Sequence, residues 1–141
     1  MLGGQVDIVV GNEFTNEYYH CQTCKTFHSR KELKELREEK NHPNGRWKCL
    51  GCKEDFQIYT QLKRHSRYMV LERKLVKDLE IGDEVVFTIG NFDVHELMKK
   101  TESNNGQVHL SFSGYGSSNE NEDDWVNCYI GNWDGDTSRF K

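Results

Sequence analysis

Two cysteine pairs have the types and spacing for metal chemistry: Cys21 and Cys24 in "YYHCQTCKTFHS" (18–29), and Cys49 and Cys52 in "RWKCLGCKEDF" (46–56). A CxxC turn aims both sulfurs at one point, so two such turns supply the four thiolates of a closed tetrahedral zinc shell. A shell closed by four sulfurs keeps no position open for water, so this metal is expected to be structural and the chain no enzyme. His20, His28 and His42 lie near the pairs in sequence and are expected outside the shell. No nucleotide-binding loop, GxSxG or HExxH motif occurs, and no other histidine or carboxylate is paired with a nucleophile.

The elements that must position these thiols fall in two regions. In the first, Ser29 followed by Glu32 forms a capping box that opens a helix through "RKELKELREEK" and stops before "NHPNG". Leu33 and Leu36 are its only apolar positions, and Arg30, Lys34 and Arg37 lie along one side with glutamates that cancel much of their field. After the second CxxC, "FQIYTQLKRHSRYMVLERKLV" has helical spacing, with Ile58, Leu62, His65, Met69 and Val76 on one face. This predicts a second helix over 56–76. Glu72 is its only acid, so Lys63, Arg64, Arg67, Lys74 and Tyr59 are the expected contacts to nucleic acid.

The segment "CLGCKEDFQIYTQLKRH" resembles a two-cysteine, two-histidine zinc finger: Cys49, Cys52, Phe56, Leu62 and His65 stand at that family's spacing over 17 residues. The resemblance implies Phe56 and Leu62 as a small core and His65 as a ligand. The family's last histidine has no counterpart three to five residues later. The departure favours recruitment of Cys21 and Cys24 into a site similar to a zinc ribbon or treble clef, with His65 in place of one cysteine as the alternative.

From residue 79 the pattern changes to strands: "DEVVFTI", "FDVHELM", "QVHLSFS" and "WVNCYIG", separated by "GN", "NNG" and a polar loop. Val108, Leu110 and Phe112 alternate, as do Val126, Cys128 and Ile130, which makes Cys128 a core residue. "LVKDLEIGDEVVF" resembles the opening of many SH3-like barrels. The loop "GYGSSNENEDDW" is expected to be exposed and mobile, with Glu120, Glu122, Asp123 and Asp124 available to a basic protein partner. Asp134, Gly135 and Asp136 are too few for an EF-hand calcium loop. The expected fold class is α+β: a zinc-knuckle module with two helices over residues 1–76, then a small acidic antiparallel β-barrel or curled sheet over 77–141.

Charge follows the same division. Residues 1–75 carry 14 Lys and Arg against 10 Asp and Glu, and residues 76–141 carry 5 against 13, so a net charge of -4 conceals +4 followed by -8. A basic metal-stabilised region suits nucleic acid and an acidic one suits a basic protein surface. "VDIVV" is too short to span a membrane and has no cleavage pattern, and paired CxxC motifs fit the reducing cytoplasm. The absence of alanine from 141 residues fits a phage or mobile-element source. These features predict a zinc-stabilised nucleic-acid-binding adaptor or regulator. The alternative is a protein-binding inhibitor or accessory factor whose acidic region docks a nucleic-acid-binding surface. Neither reading requires a small-molecule substrate.

Overall fold

The computed structural model describes residues 8–10, 14–40, 47–49, 51–62, 68–88, 93–114, 116–136 and 138. The chain forms two compact units, each built from two stretches: Phe14–Arg73 with Ile130–Lys141, and Met1–Glu13 with Lys74–Tyr129. They are called here the cysteine unit and the acidic unit.

The cysteine unit contains β1 (Phe14–Cys21), β2 (Thr26–Ser29), α1 (Arg30–Lys40), β3 (Gln57–Leu62) and most of β4 (Tyr68–Leu75), with the strands in the order β2-β1-β3-β4. All its pairings are antiparallel: Tyr18 faces Ser29 on one side and Tyr59 on the other, and Tyr59 in turn faces Val70. Opposed residues share a face. Glu17, Tyr19, Cys21, Ile58, Thr60, Met69, Leu71 and Arg73 therefore form one row system, and all are buried. Tyr18, His20, Phe27, Ser29, Tyr59 and Tyr68 occupy the other face and are half-buried.

The capping box at α1 is formed: Ser29 N–H donates to Glu32 Oε1 at 3.0 Å, and Glu32 N–H donates to Ser29 Oγ at 3.2 Å. Leu33 anchors the helix at 2 % exposure. The second expected helix is absent. Residues 57–62 and 68–75 are β3 and β4, so among the described residues the fold has one α-helix and nine strands instead of a two-helix zinc module. The buried residues alternate within each strand, Ile58 with Thr60 on β3 and Met69, Leu71 and Arg73 on β4, which is period 2 and not 3.6. What hid the strand is Arg73, a charged residue that occupies a buried position of the alternation. The expected turn at 41–45 lies outside the described residues, and of Leu62 only the backbone is described.

The acidic unit holds β5 (Glu84–Val86), β6 (Val94–Glu102), β7 (Gln107–Phe112), β8 (Ser117–Asn121) and most of β9 (Trp125–Asn132), in the order β9-β5-β6-β7-β8. Its core joins Ile8, Val76, Leu79, Val85, Phe87, Leu97, Val108, Leu110, Phe112, Val126 and Cys128. The alternation of Val108, Leu110 and Phe112 is buried as its period requires, and the β6–β7 turn places Gly106 at φ 79°. In β9, Ile130 is 43 % exposed, while Asn127 between Val126 and Cys128 is fully buried. The "GYGSSNENEDDW" segment is more ordered than its composition suggests. Ser117–Asn121 pairs with β7 from Ser111↔Ser117 to Gln107↔Asn121, because backbone hydrogen bonds on a sheet edge need no apolar side chains. Among the described residues, no helix is long and apolar enough to cross a membrane.

Candidate metal centre

Each CxxC spans a tight turn. Cys21 ends β1, residues 22–25 turn, and Thr26 begins β2 opposite Cys21. In the second turn, Cys49 N–H donates to the Glu54 carbonyl at 2.8 Å and Lys53 N–H to the Cys49 carbonyl at 3.0 Å, and an isolated bridge joins Lys48 to Asp55. Lys48 Nζ also pairs with Asp55 Oδ1 at 2.7 Å. The turns share a signature: the residue after the second cysteine is left-handed in both, Lys25 at φ 57° and Lys53 at φ 67°. Such a conformation lets the chain reverse while the backbone N–H groups point back at sulfur. Cys24 N–H donates to Cys21 Sγ at 3.4 Å, and the N–H groups of Cys52 and Gly51 act on Cys49. Thr23 Oγ1 donates to Glu54 Oε2 at 3.0 Å, which ties one turn to the other.

The four sulfurs lie within 4.8 Å of one another. Cys21 Sγ is 3.4 Å from Cys52 Sγ, and Cys49 Sγ is 3.9 Å from Cys24 Sγ. A tetrahedron of thiolates about 2.3 Å from a central ion has edges of about 3.8 Å, so the cluster has the size of a tetrathiolate metal site. The same distances are far beyond a disulfide bond, and all five cysteines are free. Hydrogen bonding of its thiol with Cys52 and then with Cys49 favours the neutral form and pushes Cys24 up to about 12. Burial acts upward on Cys49, but the Cys52 and Gly51 N–H groups outweigh it and bring it down to about 7. Burial raises Cys21. A cation at the centre of the four thiols would displace their protons. Among the described residues, these four cysteines form the one cluster able to hold a metal ion, and they could do so.

The core behind the thiols is aromatic and charged. Tyr19 stacks on Trp47 with ring centroids 5.8 Å apart and tilts against Phe56 at 5.8 Å. The Arg73 guanidinium lies 4.2 Å over the Trp47 ring. Arg73 donates from Nη1 to Glu17 Oε1 at 3.1 Å and from Nη2 to Glu17 Oε2, and the Tyr19 hydroxyl also donates to Glu17 Oε1. Arg30 Nη2 completes the set 3.4 Å from Glu17 Oε2. Burial alone would raise the Glu17 carboxyl, but the Arg73 hydrogen bonds and charge hold it below its usual range. Burial first, and then the Glu17 charge, raise the Tyr19 hydroxyl. This network was not expected from the sequence. A period-2 reading from Glu17 through Tyr19 to Cys21 would have placed it.

The histidines pack on rings. His20 stands edge-on to Tyr59 at 6.1 Å, and His28 edge-on to Phe56 at 6.3 Å. Burial lowers the His20 pKa. His42 and His65 lie outside the described residues, as do Lys63, Arg64 and Arg67. The other expected nucleic-acid contacts separate: Tyr59 lies on β3 with its ring edge-on to Trp133 at 5.6 Å, while Lys74 Nζ pairs with Asp83 Oδ2 at 3.1 Å in the acidic unit. Of the expected partner contacts, Glu120 is half-buried in β8 and accepts from Ser118 Oγ. Glu122 is exposed. Asp123 lies 3.4 Å from Lys77 Nζ with its side chain 77 % exposed. Asp124 offers its carbonyl to Val76 N–H at 2.8 Å. No family model, curated protein or solved structure matches the chain.

Proposed function

We propose that this protein is a zinc-stabilised nucleic-acid-binding adaptor or regulator, acting by binding and not by catalysis. The observation that carries the reading is the aromatic face of the β2-β1-β3-β4 sheet, where Tyr18, His20, Phe27, Tyr59 and Tyr68 are only half-buried. Aromatic rings on a sheet give bases a surface to stack on whatever their identity, and neighbouring cations hold the backbone. The β3–β4 connection supplies Lys63, Arg64 and Arg67 and ends on Tyr68 itself. The cysteine unit carries 15 Lys and Arg against 10 Asp and Glu, a net charge of +5 that favours polyanions.

Zinc is the proposed ion because four thiolates in a tetrahedron suit it and leave no reactive position. Elemental analysis is expected to find one zinc per chain; an iron-coloured protein would replace zinc in this reading. Paired thiols kept for metal favour a reducing cytoplasm, that of the host cell for a phage-encoded chain. Electrophoretic shift at low salt tests the function: a DNA or RNA complex is expected, weakened by Lys63→Ala/Arg64→Ala/Arg67→Ala, and no complex with either nucleic acid rejects it.

A second reading, an inhibitor or accessory factor that docks a basic protein surface, draws on the acidic unit, where 4 Lys and Arg face 13 Asp and Glu, a net charge of -9. Its specific support is the exposed pair Glu122 and Asp123 beside Glu120 and Asp124. Capture of a basic partner that survives neutralisation of those four residues would reject it.

A further inference from the structure

A cavity of about 420 Å³ in the cysteine unit is lined by Asn16, Glu17 and Tyr18 of β1 and by Ser29, Arg30, Lys31 and Lys34 at the start of α1. Its size falls within the range of small-ligand sites. Three of its seven lining residues are cationic and one is acidic. That acid, Glu17, is engaged by the guanidiniums of both Arg73 and Arg30, so the charge at the cavity floor is net positive. Lys31 and Lys34 are exposed and make no ion pair with any described residue. Arg30 donates to the Phe14 carbonyl at 3.3 Å, which fixes one guanidinium edge at the rim. Asn16 and Ser29 add neutral hydrogen-bonding groups.

Tyr18 makes this cavity more than a cationic dent. Its ring lines the cavity and also stacks on Phe27, with centroids 5.4 Å apart and planes 14° apart. Trp133 also meets it edge-on at 6.0 Å, and stands edge-on to Tyr59 and Tyr68 as well. The Tyr18 ring is therefore held in place by packing and is half-buried, and it adjoins both the cations of the cavity and further rings. A base can lie against such a ring only if it is free of its partner strand, because paired bases in a duplex present edges and not faces.

Building on the nucleic-acid reading above, we propose that the β1–α1 cavity is a phosphate-binding site for single-stranded nucleic acid. Lys31, Lys34 and Arg30 hold the backbone there, and an adjacent base stacks at Tyr18 and Phe27. The first step of α1, which the glutamates seemed to neutralise, contributes because Glu32 is turned back onto the Ser29 N–H and Glu17 onto Arg73. Two acids that would oppose phosphate are thereby already occupied.

The test is fluorescence anisotropy of the full metal-loaded chain with a labelled oligothymidylate, an oligouridylate and a duplex of matched length across a salt series. Lys31→Ala/Lys34→Ala changes two exposed side chains and spares the fold. It is expected to lower the slope of log affinity against log salt by about 1.4, the loss of two single-strand phosphate contacts. Tyr18→Leu keeps apolar bulk but removes the stacking ring, and is expected to weaken binding about 5- to 150-fold. Its metal content and melting temperature check that it folds. Preference for the single strand together with both effects supports the site. Equal or tighter duplex binding overturns the single-strand assignment while the nucleic-acid reading survives. Single-strand binding that both variants leave unchanged overturns the cavity, and no binding to any probe overturns both the site and the reading on which it rests.

Discussion

The two units solve the same problem, a small sheet that must hold together, with different chemistry. The acidic unit does it by burial: its eleven-residue core is wholly apolar apart from the thiol of Cys128, and Asn127 is its one buried polar residue among those described. The cysteine unit buries Glu17, Thr60 and Arg73 among its apolar residues and gathers four thiols at one end. Nonspecific burial tolerates almost any packing of the right volume. An ion pair and a metal shell tolerate one geometry, and they fail when a single partner is lost. The cysteine unit is therefore the better defined and the more conditional of the two, and it is the one whose surface carries cations and half-exposed rings.

The largest effect expected from this contrast is that of metal removal. Structural zinc bound to finger peptides contributes about 10 to 16 kcal/mol, comparable to the stability of a whole domain. Chelation, or Cys49→Ser, is expected to strip hydrogen-exchange protection from β1 and β3 while β6 and β7 keep theirs. Simultaneous loss across all four strands would show that the units do not differ in this way.

Next is the buried pair. Removing one partner of such a pair costs about 3 to 5 kcal/mol because the other charge is left buried, so Glu17→Gln should destabilise the cysteine unit in denaturant and leave Arg73 without its counter-charge. The pH dependence has a fixed sign. A carboxyl held below its usual value contributes stability that is fully present above its unfolded pKa of about 4.3 and is lost as the pH falls through the lower folded value. The gap between the wild-type protein and Glu17→Gln should thus close on acidification and stay constant above pH 5 or so. A gap that persists in acid would mean that Glu17 acts by shape and not by charge.

For the acidic unit the matching change is Leu110→Ala, at a fully buried position. A cavity there is expected to cost about 2 to 5 kcal/mol, read as a lower denaturant midpoint for that unit, with metal content unchanged. Metal loss on this substitution would break the proposed separation of the two sources of stability.

What the sequence disclosed follows the same line. Rules of fixed spacing were legible: the CxxC pairs meet, the Ser29–Glu32 box caps α1, and Val108, Leu110 and Phe112 alternate into the core. Such rules depend on residues close in the chain, so no knowledge of the fold is needed to apply them. The second expected helix gives way to strands because β3 buries a hydroxyl at Thr60 and β4 a charge at Arg73. With Arg73 counted as a surface residue, Met69 and Leu71 lose the third member of their period-2 row and a helical spacing appears in its place. Glu17 and Arg73 are 56 positions apart, and only the sheet register joins them. β8 escaped notice for the opposite reason: an edge strand of Ser, Asn and Glu has no apolar pattern to read.

The smallest expected effect bears on how the thiols are aimed. Lys25 and Lys53 each follow the second cysteine of a pair, and each is left-handed, a conformation in which a side chain's Cβ crowds the following carbonyl. The strain is about 1 to 2 kcal/mol per residue, and glycine relieves it at the cost of about 0.5 to 1 kcal/mol of extra chain entropy. Lys25→Gly and Lys53→Gly should therefore each stabilise the cysteine unit by up to about 1.5 kcal/mol, seen as slower metal release to a competing chelator, with no change in the acidic unit. Lys53 N–H bonds the Cys49 carbonyl and remains available in the glycine variant, so the turn keeps its hydrogen bond while losing its strain. Faster metal release from both variants would mean that the lysine side chains themselves, and not the turn geometry, hold the thiolates in place.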